Sequence, residues 1–206
     1  ADVARVLLAL AIGLGLLTAS WAALHLPPFE GYQIIDTPVY QEYGEAIASG
    51  QVPYRDFALE YPPGALPMFW LPTLGPAEHY RSLFELLMWF CAAGLLVLLV
   101  RAAAALDAPP RRLLAAAVAV GLFPLALGTV VLTRYDLWPA LLTAAALAAV
   151  LGGRERLGLA VLGIAVAAKI YPLVLLPPLL VYVARRSGRR EAGITLGAFA
   201  AALAVI

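Results

Sequence analysis

Long blocks of apolar residues recur along most of this chain, and no other feature restricts its fold so strongly. They fall at 6–24, 83–100, 113–132, 137–151, 157–168, 172–183 and 194–206. At 1.5 Å of rise per residue, about 20 apolar residues in a helix cross the roughly 30 Å hydrocarbon core of a bilayer. Inside that core each backbone N–H and C=O must be satisfied within its own segment, which favours helices. Charged residues make up only 13% of the chain, whereas a soluble domain of this size carries about 25% to cover its surface. The expected fold is all-α, a polytopic transmembrane helix bundle of seven crossings forming a single domain over 1–206.

The first block has no small-residue cleavage site after a short apolar core, so it reads as a retained helix and not a signal peptide. The chain begins without Met and stops at Ile206 inside an apolar run, so a fragment cut at both ends is expected. Net charge is +1, which gives no electrostatic case for nucleic acid. Arginine outnumbers lysine thirteen to one and asparagine is absent, a hint of a high-GC bacterial genome that also excludes N-glycosylation. Cys91 is the one cysteine, cannot form an internal disulfide, and sits in an apolar run as a packing residue.

Basic residues set the orientation, because they are retained on the cytoplasmic side. With Arg5 inside, seven crossings place Arg101, Arg111, Arg112, Arg154, Arg156, Arg185, Arg186, Arg189 and Arg190 inside as well. Arg55, Arg81, Arg134 and Lys169 are left outside, with Glu30, Asp36, Glu42, Glu45, Asp56, Glu60, Glu78 and Asp136. That parity requires residues 157–183 to be two short crossings that turn at Lys169-Ile170-Tyr171-Pro172. A single long helix would strand Arg154 and Arg156, or the later arginines, outside. Each arm has about 12 apolar residues, or ~18 Å, less than the hydrocarbon thickness. Lys169 is therefore expected to be recessed below the outer interface, where an ionisable group is by default a functional candidate. The alternative is a lysine that snorkels to the headgroups.

Between the first two crossings lies a long outer loop, 26–77, rich in proline, glycine, tyrosine and acids. From Ile34 to Tyr43 it reads as a helix start, with Asp36 or Thr37 as cap, Pro38 in the first turn and Gly50 at the end. Tyr40, Tyr43 and Ile47 share one face, with Glu42 and Glu45 turned elsewhere, as in an interfacial amphipathic helix lying apolar side down. Asp36 is then either a simple cap or a working carboxylate. The dense prolines after Gly50 predict extended turns. There Arg55, Asp56 and Glu60 either pair with one another or face a substrate. Tyr32, Tyr54, Phe57, Tyr61, Phe69 and Trp70 fit an interfacial belt or sugar stacking equally well. Arg81 and Glu85 stand at i,i+4 and read as a structural pair. His25 and His79, isolated at helix ends, read as interface residues. Arg134 and Asp136 share one tight turn, either an ordinary loop ion pair or part of a site. Asp36, that turn and Lys169 thus come from three separate places to one membrane face. Carboxylates with recessed cations suit a reaction between an anionic lipid headgroup and a polar acceptor.

The patterns Asp36-Thr-Pro-Val-Tyr40, Gly50-x-x-Pro53-Tyr54-x-Asp56-Phe57 and Glu60-Tyr61-Pro62-Pro63 resemble the first outer loop of the C-type glycosyltransferases. The later Arg134-Tyr-Asp136 turn and Lys169-x-Tyr171-Pro172 hairpin are similar too. The resemblance is strongest to glycosyltransferase family 87, polyprenyl-phosphate-mannose-dependent mannosyltransferases and their bacterial relatives. It implies transfer of a sugar, most often mannose, from a polyprenyl phosphate to a hydroxyl of a lipid or cell-envelope glycan, with inversion. A phosphate leaving group needs cations and no general acid, and the acceptor needs one base. By similarity that base is Asp36. Lys169 and Arg134 are the candidates for the lipid phosphate, and Tyr40, Arg55, Asp136 and Tyr171 are implied on the substrate side. Asp56, Glu60 and Tyr61 either shape the acceptor site or brace the loop. No cofactor or metal is called for, and the expected setting is the bacterial plasma membrane with its active face outside. A transporter or flippase of a lipid-linked or anionic substrate is the alternative, and would be expected to show repeat symmetry and charges near the midplane.

Overall fold

The computed structural model describes residues 3–27, 29 and 35–206. Glu30, Tyr32 and Ile34, all assigned to the outer loop above, lie outside the described residues. Those described are mostly helical and contain no strand, only an isolated bridge between Pro53 and Phe57. Ten α-helices appear among them: α1 Val3–Ala23, α2 Thr37–Ala48, α3 Leu66–Trp70, α4 Tyr80–Ala105, α5 Pro110–Leu127, α6 Val130–Thr133, α7 Leu137–Leu151, α8 Glu155–Ala168, α9 Leu176–Ser187 and α10 Arg189–Val205. Three spans, Val3–Ala23, Ala77–Ala105 and Pro110–Leu127, are long and apolar enough to cross a membrane, and Leu137–Leu151 is a shorter apolar helix. The chain is an integral membrane protein of the all-helical kind. It forms two compact units, Ala1–Leu59 with Pro67–Leu137, and Glu60–Leu66 with Trp138–Ile206.

In the first unit α1 packs along α5, and α4 lies against both. Apolar tails gain little by leaving lipid for protein, so helices associate here through close backbone approach at small residues. Gly13, Ala117 and Gly121 supply it. A Cβ at Gly121 would fall 2.7 Å from Leu16 Cβ and 2.8 Å from the Gly13 carbonyl oxygen. Ala9, Val100, Leu113 and Ala117 close the core beside this seam. Pro110 opens α5 with its φ already helical, and Gly128, at φ +68°, ends it. At the other end of the unit Glu85 is buried within α4 and is met by the side chains of Arg81 and His25. Arg81 Nε donates to Glu85 Oε1 at 2.8 Å, and His25 Nε2 lies 2.9 Å from Oε2. The i,i+4 pair is present as expected, and His25 joins it from the end of α1.

In the second unit the apolar stretch 157–183 is two arms. Helix α8 stops at Ala168, Lys169 is extended at φ −161° and ψ 140°, and a 3₁₀ turn over Tyr171–Leu175 leads into α9. One unbroken helix would hold Glu155 and Ser187 about 48 Å apart. Instead Ser187 Oγ donates to Glu155 Oε1 at 2.8 Å, so the chain has reversed at Lys169. Arg154, Arg156 and the later arginines therefore lie at one end of this unit, as the charge argument required. Leu159, Leu162 and Val166 of α8 pack with Leu179 and Val183 of α9 and Phe199 of α10. Gly163 admits α10 closely, since a Cβ there would lie 2.5 Å from the Phe199 carbonyl oxygen.

The loop after Gly50 is less extended than its prolines predict. Pro63–Ala65, Leu66–Trp70 and Leu71–Leu74 form successive 3₁₀ and α turns. Proline lacks an N–H and its ring clashes with the carbonyl four residues earlier, but in the first turn of a helix neither matters. Pro63, Pro67 and Pro72 all lie in the opening turns of such pieces.

Candidate active site

Asp36 occupies the N-cap position of α2, and its carbonyl oxygen accepts the N–H groups of Val39 at 3.1 Å and Tyr40 at 3.2 Å. The side chain makes no capping hydrogen bond. It turns instead to Arg134, whose Nε stands 3.1 Å from Asp36 Oδ2, and the Tyr40 hydroxyl donates to the same oxygen at 3.5 Å. The Arg134 Nε–H is buried but makes no directed hydrogen bond among the described residues, so this contact is an ion pair by distance. The carboxylate side chain is 26% exposed and the arginine 42%. With Nε buried, that exposure belongs to the rest of the guanidinium and its stem. An accessible carboxylate beside a half-open guanidinium can accept a proton and meet an anion at one place.

Packing holds this pair in position. Tyr40 is 1% exposed. Its ring stacks on Phe69 at 4.4 Å, with Phe84 at 5.4 Å and the edge of Tyr135 at 6.0 Å. Tyr135 follows Arg134 directly, so its burial orients the arginine's backbone. Gly44, one turn beyond Tyr40, lies so close to the Phe69 carbonyl that a Cβ there would collide with it. The Tyr80 hydroxyl caps the same carbonyl at 2.9 Å. The face of α2 read as facing lipid is therefore packed against protein at Tyr40 and Gly44, while Glu42 and Glu45 are exposed as expected. Phe69, placed above among candidate belt aromatics, is a core residue. Asp136 is exposed at the start of α7 in the same unit.

Arg55 and Asp56 form a separate turn. Arg55 Nε and a terminal nitrogen donate to the two Asp56 oxygens at 2.8 Å each, and the Val52 N–H donates to Asp56 Oδ2 at 2.8 Å. These bonds hold the Asp56 carboxyl below its usual range, Arg55 first and the Val52 amide second, and hold the Arg55 guanidinium above its own. Asp56 also closes the turn that carries Tyr54 at φ +64°, an uncommon conformation for a bulky residue.

The second unit gathers the remaining candidates. Pro63–Ala65 packs on α8, and Gly64 sits against its last turn, where a Cβ would lie 2.5 Å from the Ala168 amide nitrogen. Trp138 Nε1 donates to the Gly64 carbonyl at 3.0 Å, locking this piece. Glu60 and Tyr61 are thereby brought to the end of the unit where α8 gives way to Lys169 and Tyr171. Lys169 is half-buried, and Tyr171 is 46% exposed. The anchoring by Trp138 was not foreseen; the one cue was a glycine after two prolines. Among the described residues no group of three or more His, Cys, Asp or Glu side chains gathers to hold a metal.

The family model of glycosyltransferase family 87 matches residues 59–206. The chain belongs to glycosyltransferase family 87. It is therefore a membrane glycosyltransferase, acting between a sugar donor and an acceptor. The matched span contains Glu60, Tyr61, Arg134, Asp136, Lys169 and Tyr171, and begins after Asp36, Tyr40, Arg55 and Asp56. No curated protein and no solved structure matches this family member significantly.

Proposed function

We propose that this protein transfers a sugar, mannose first among the candidates, from a polyprenyl phosphate to a hydroxyl of a lipid or cell-envelope glycan, on the extracytoplasmic face of a bacterial plasma membrane. The acceptor oxygen attacks the anomeric carbon on the side opposite the phosphate and gives its proton to Asp36. The bond from that carbon to the phosphate oxygen breaks, and the configuration inverts. Asp36 is the one catalytic carboxylate. Arg134 pairs with it through Nε and offers its exposed nitrogens to the lipid phosphate, and Lys169 is a further candidate for binding phosphate. Asp136, Tyr171, Glu60 and Tyr61 border the substrates. Arg55 and Asp56 brace the loop.

A single observation carries this reading. The Asp36 side chain leaves the capping bond that its position invites and lies, partly open to solvent, against Arg134. The test is transfer of labelled sugar from a polyprenyl-phosphate donor by the full-length protein in lipid. Asp36→Asn is expected to lower the rate a hundredfold or more with the fold intact, the scale of losing a general base. Equal transfer by both proteins would remove Asp36 from the chemistry. Absence of transfer with every donor tried, alongside movement of the lipid across vesicles, would establish the transporter instead.

A further inference from the structure

The second unit carries six arginines at one end, Arg154, Arg156, Arg185, Arg186, Arg189 and Arg190, against two glutamates, Glu155 and Glu191, in a chain whose net charge is +1. Two of the six stand near a glutamate. Arg156 makes a two-pronged pair with Glu191, at 2.6 and 2.9 Å. Arg186 leans toward the buried Glu155, Nε to Oε1 3.9 Å. The others are exposed at the mouths of the α7–α8 and α9–α10 turns.

Beneath this basic end runs a distinct face of α9. Pro178, Val181, Tyr182, Arg185 and Arg186 follow i, i+3, i+4, i+7, i+8 spacing and line one open hollow of about 520 Å³. Its polarity is graded along the helix. Val181 is 51% exposed at the apolar end. Tyr182 stands at the boundary, and Arg186 donates to its hydroxyl at 2.8 Å while its guanidinium lies 5.9 Å from the Tyr182 ring centre. Arg185 forms the rim beside it. An inorganic anion has no use for the apolar wall, and an acyl chain alone has none for the guanidiniums. A molecule with a phosphate at one end and hydrocarbon at the other matches both.

We infer that this face of α9 is a binding site for an anionic glycerophospholipid, with Arg185 and Arg186 on the phosphate and Val181 and Pro178 along the upper acyl chains. The Tyr182 hydroxyl and Glu155 hold Arg186 in place before the lipid arrives, which lowers the ordering cost of binding. Arg185 supplies the second charge. The inference needs the protein to lie in a membrane and is independent of which sugar is moved, or whether one is.

Native mass spectrometry and thermal unfolding of the full chain, with added phosphatidylglycerol or phosphatidylcholine, test it. Wild type is expected to retain phosphatidylglycerol and to melt several degrees higher with it, but not with phosphatidylcholine or millimolar inorganic phosphate. Arg185→Gln, which leaves the Arg186 contacts intact, should lose at least half of that shift, and Arg185→Gln with Arg186→Gln nearly all of it. Arg111→Gln with Arg112→Gln, a basic pair at the start of α5, should keep it. Equal stabilisation of the α9 variants and wild type would overturn the site. So would equal loss in the α5 variant, which means diffuse charge attraction, or stabilisation by inorganic phosphate alone.

Discussion

Backbone and side chain do different work at Asp36. The backbone starts α2, and the carboxylate is held sideways by Arg134 and the Tyr40 hydroxyl. Tyr40 joins two functions that substitution can separate. Tyr40→Phe removes the hydroxyl but keeps the stack on Phe69, so unfolding in detergent should shift little while transfer falls several-fold. Tyr40→Ala also empties a buried aromatic site, and the expected loss is about 3–5 kcal/mol of stability. If Tyr40→Phe transfers as fast as wild type, the 3.5 Å contact has no part in placing Asp36. The Asp56 turn responds to pH with a definite sign. Its carboxyl is depressed in the folded turn, so its stabilisation is complete above the unfolded carboxylate value of about 3.9 and is lost as pH falls through the lower folded value. Hydrogen exchange at the Val52 amide should be slow from pH 7 to pH 5 and quicken, beyond its intrinsic trend, only in more acid solution. Asp56→Asn should make it fast throughout. Slow exchange in that variant would show that the turn does not need the carboxylate.

Among the elements, the α1–α5 seam depends on three small residues more than on any large one. Gly121→Leu would push a side chain into Leu16 and the Gly13 backbone, neither of which can retreat without moving α1. A destabilisation of about 1–3 kcal/mol is expected, read from unfolding in detergent or lipid. Gly15 has open space around its would-be Cβ, so Gly15→Leu serves as the control that should be nearly neutral. The same reasoning explains why the outer loop holds its shape despite so many prolines. Gly64 and Gly44 let backbone meet backbone, and Trp138 and Tyr80 supply the hydrogen bonds that fix each contact.

For the whole molecule, the topology is the testable quantity. With the buried Cys91 replaced by Ala, single cysteines at Gln51 and at Asp107 should react from opposite sides of sealed vesicles with an impermeant maleimide. A cysteine at Gly153 should behave like the one at Asp107. Reaction of all three from the same side would remove the seven-crossing arrangement and the extracytoplasmic assignment of Asp36. The reversal at Lys169, which returns Ser187 to Glu155, makes residues 157–183 two arms; the sidedness of the crossings is what the labelling reads.

Local physics made much of this legible from the chain alone. Apolar block length set the rough limits of the long helices. Arginine placement demanded a turn at Lys169, and Pro172 just beyond it made a continuous helix costly. Helical spacing put Tyr40 and Tyr43 on one face, and the short motifs carried the family. Those signals come from neighbours within a few turns of backbone, which is all that periodicity and charge runs can report. Whether Asp36 was a cap or a free carboxylate depended on a side chain nearly a hundred residues away, and only the tertiary fold brought Arg134 to it. Likewise Phe69 became core through its stack with Tyr40, and Glu60–Leu66 joined the second unit because Gly64 fits against α8. Contacts made at long sequence separation are chosen by packing and desolvation in three dimensions, and those terms leave no periodic trace in the sequence.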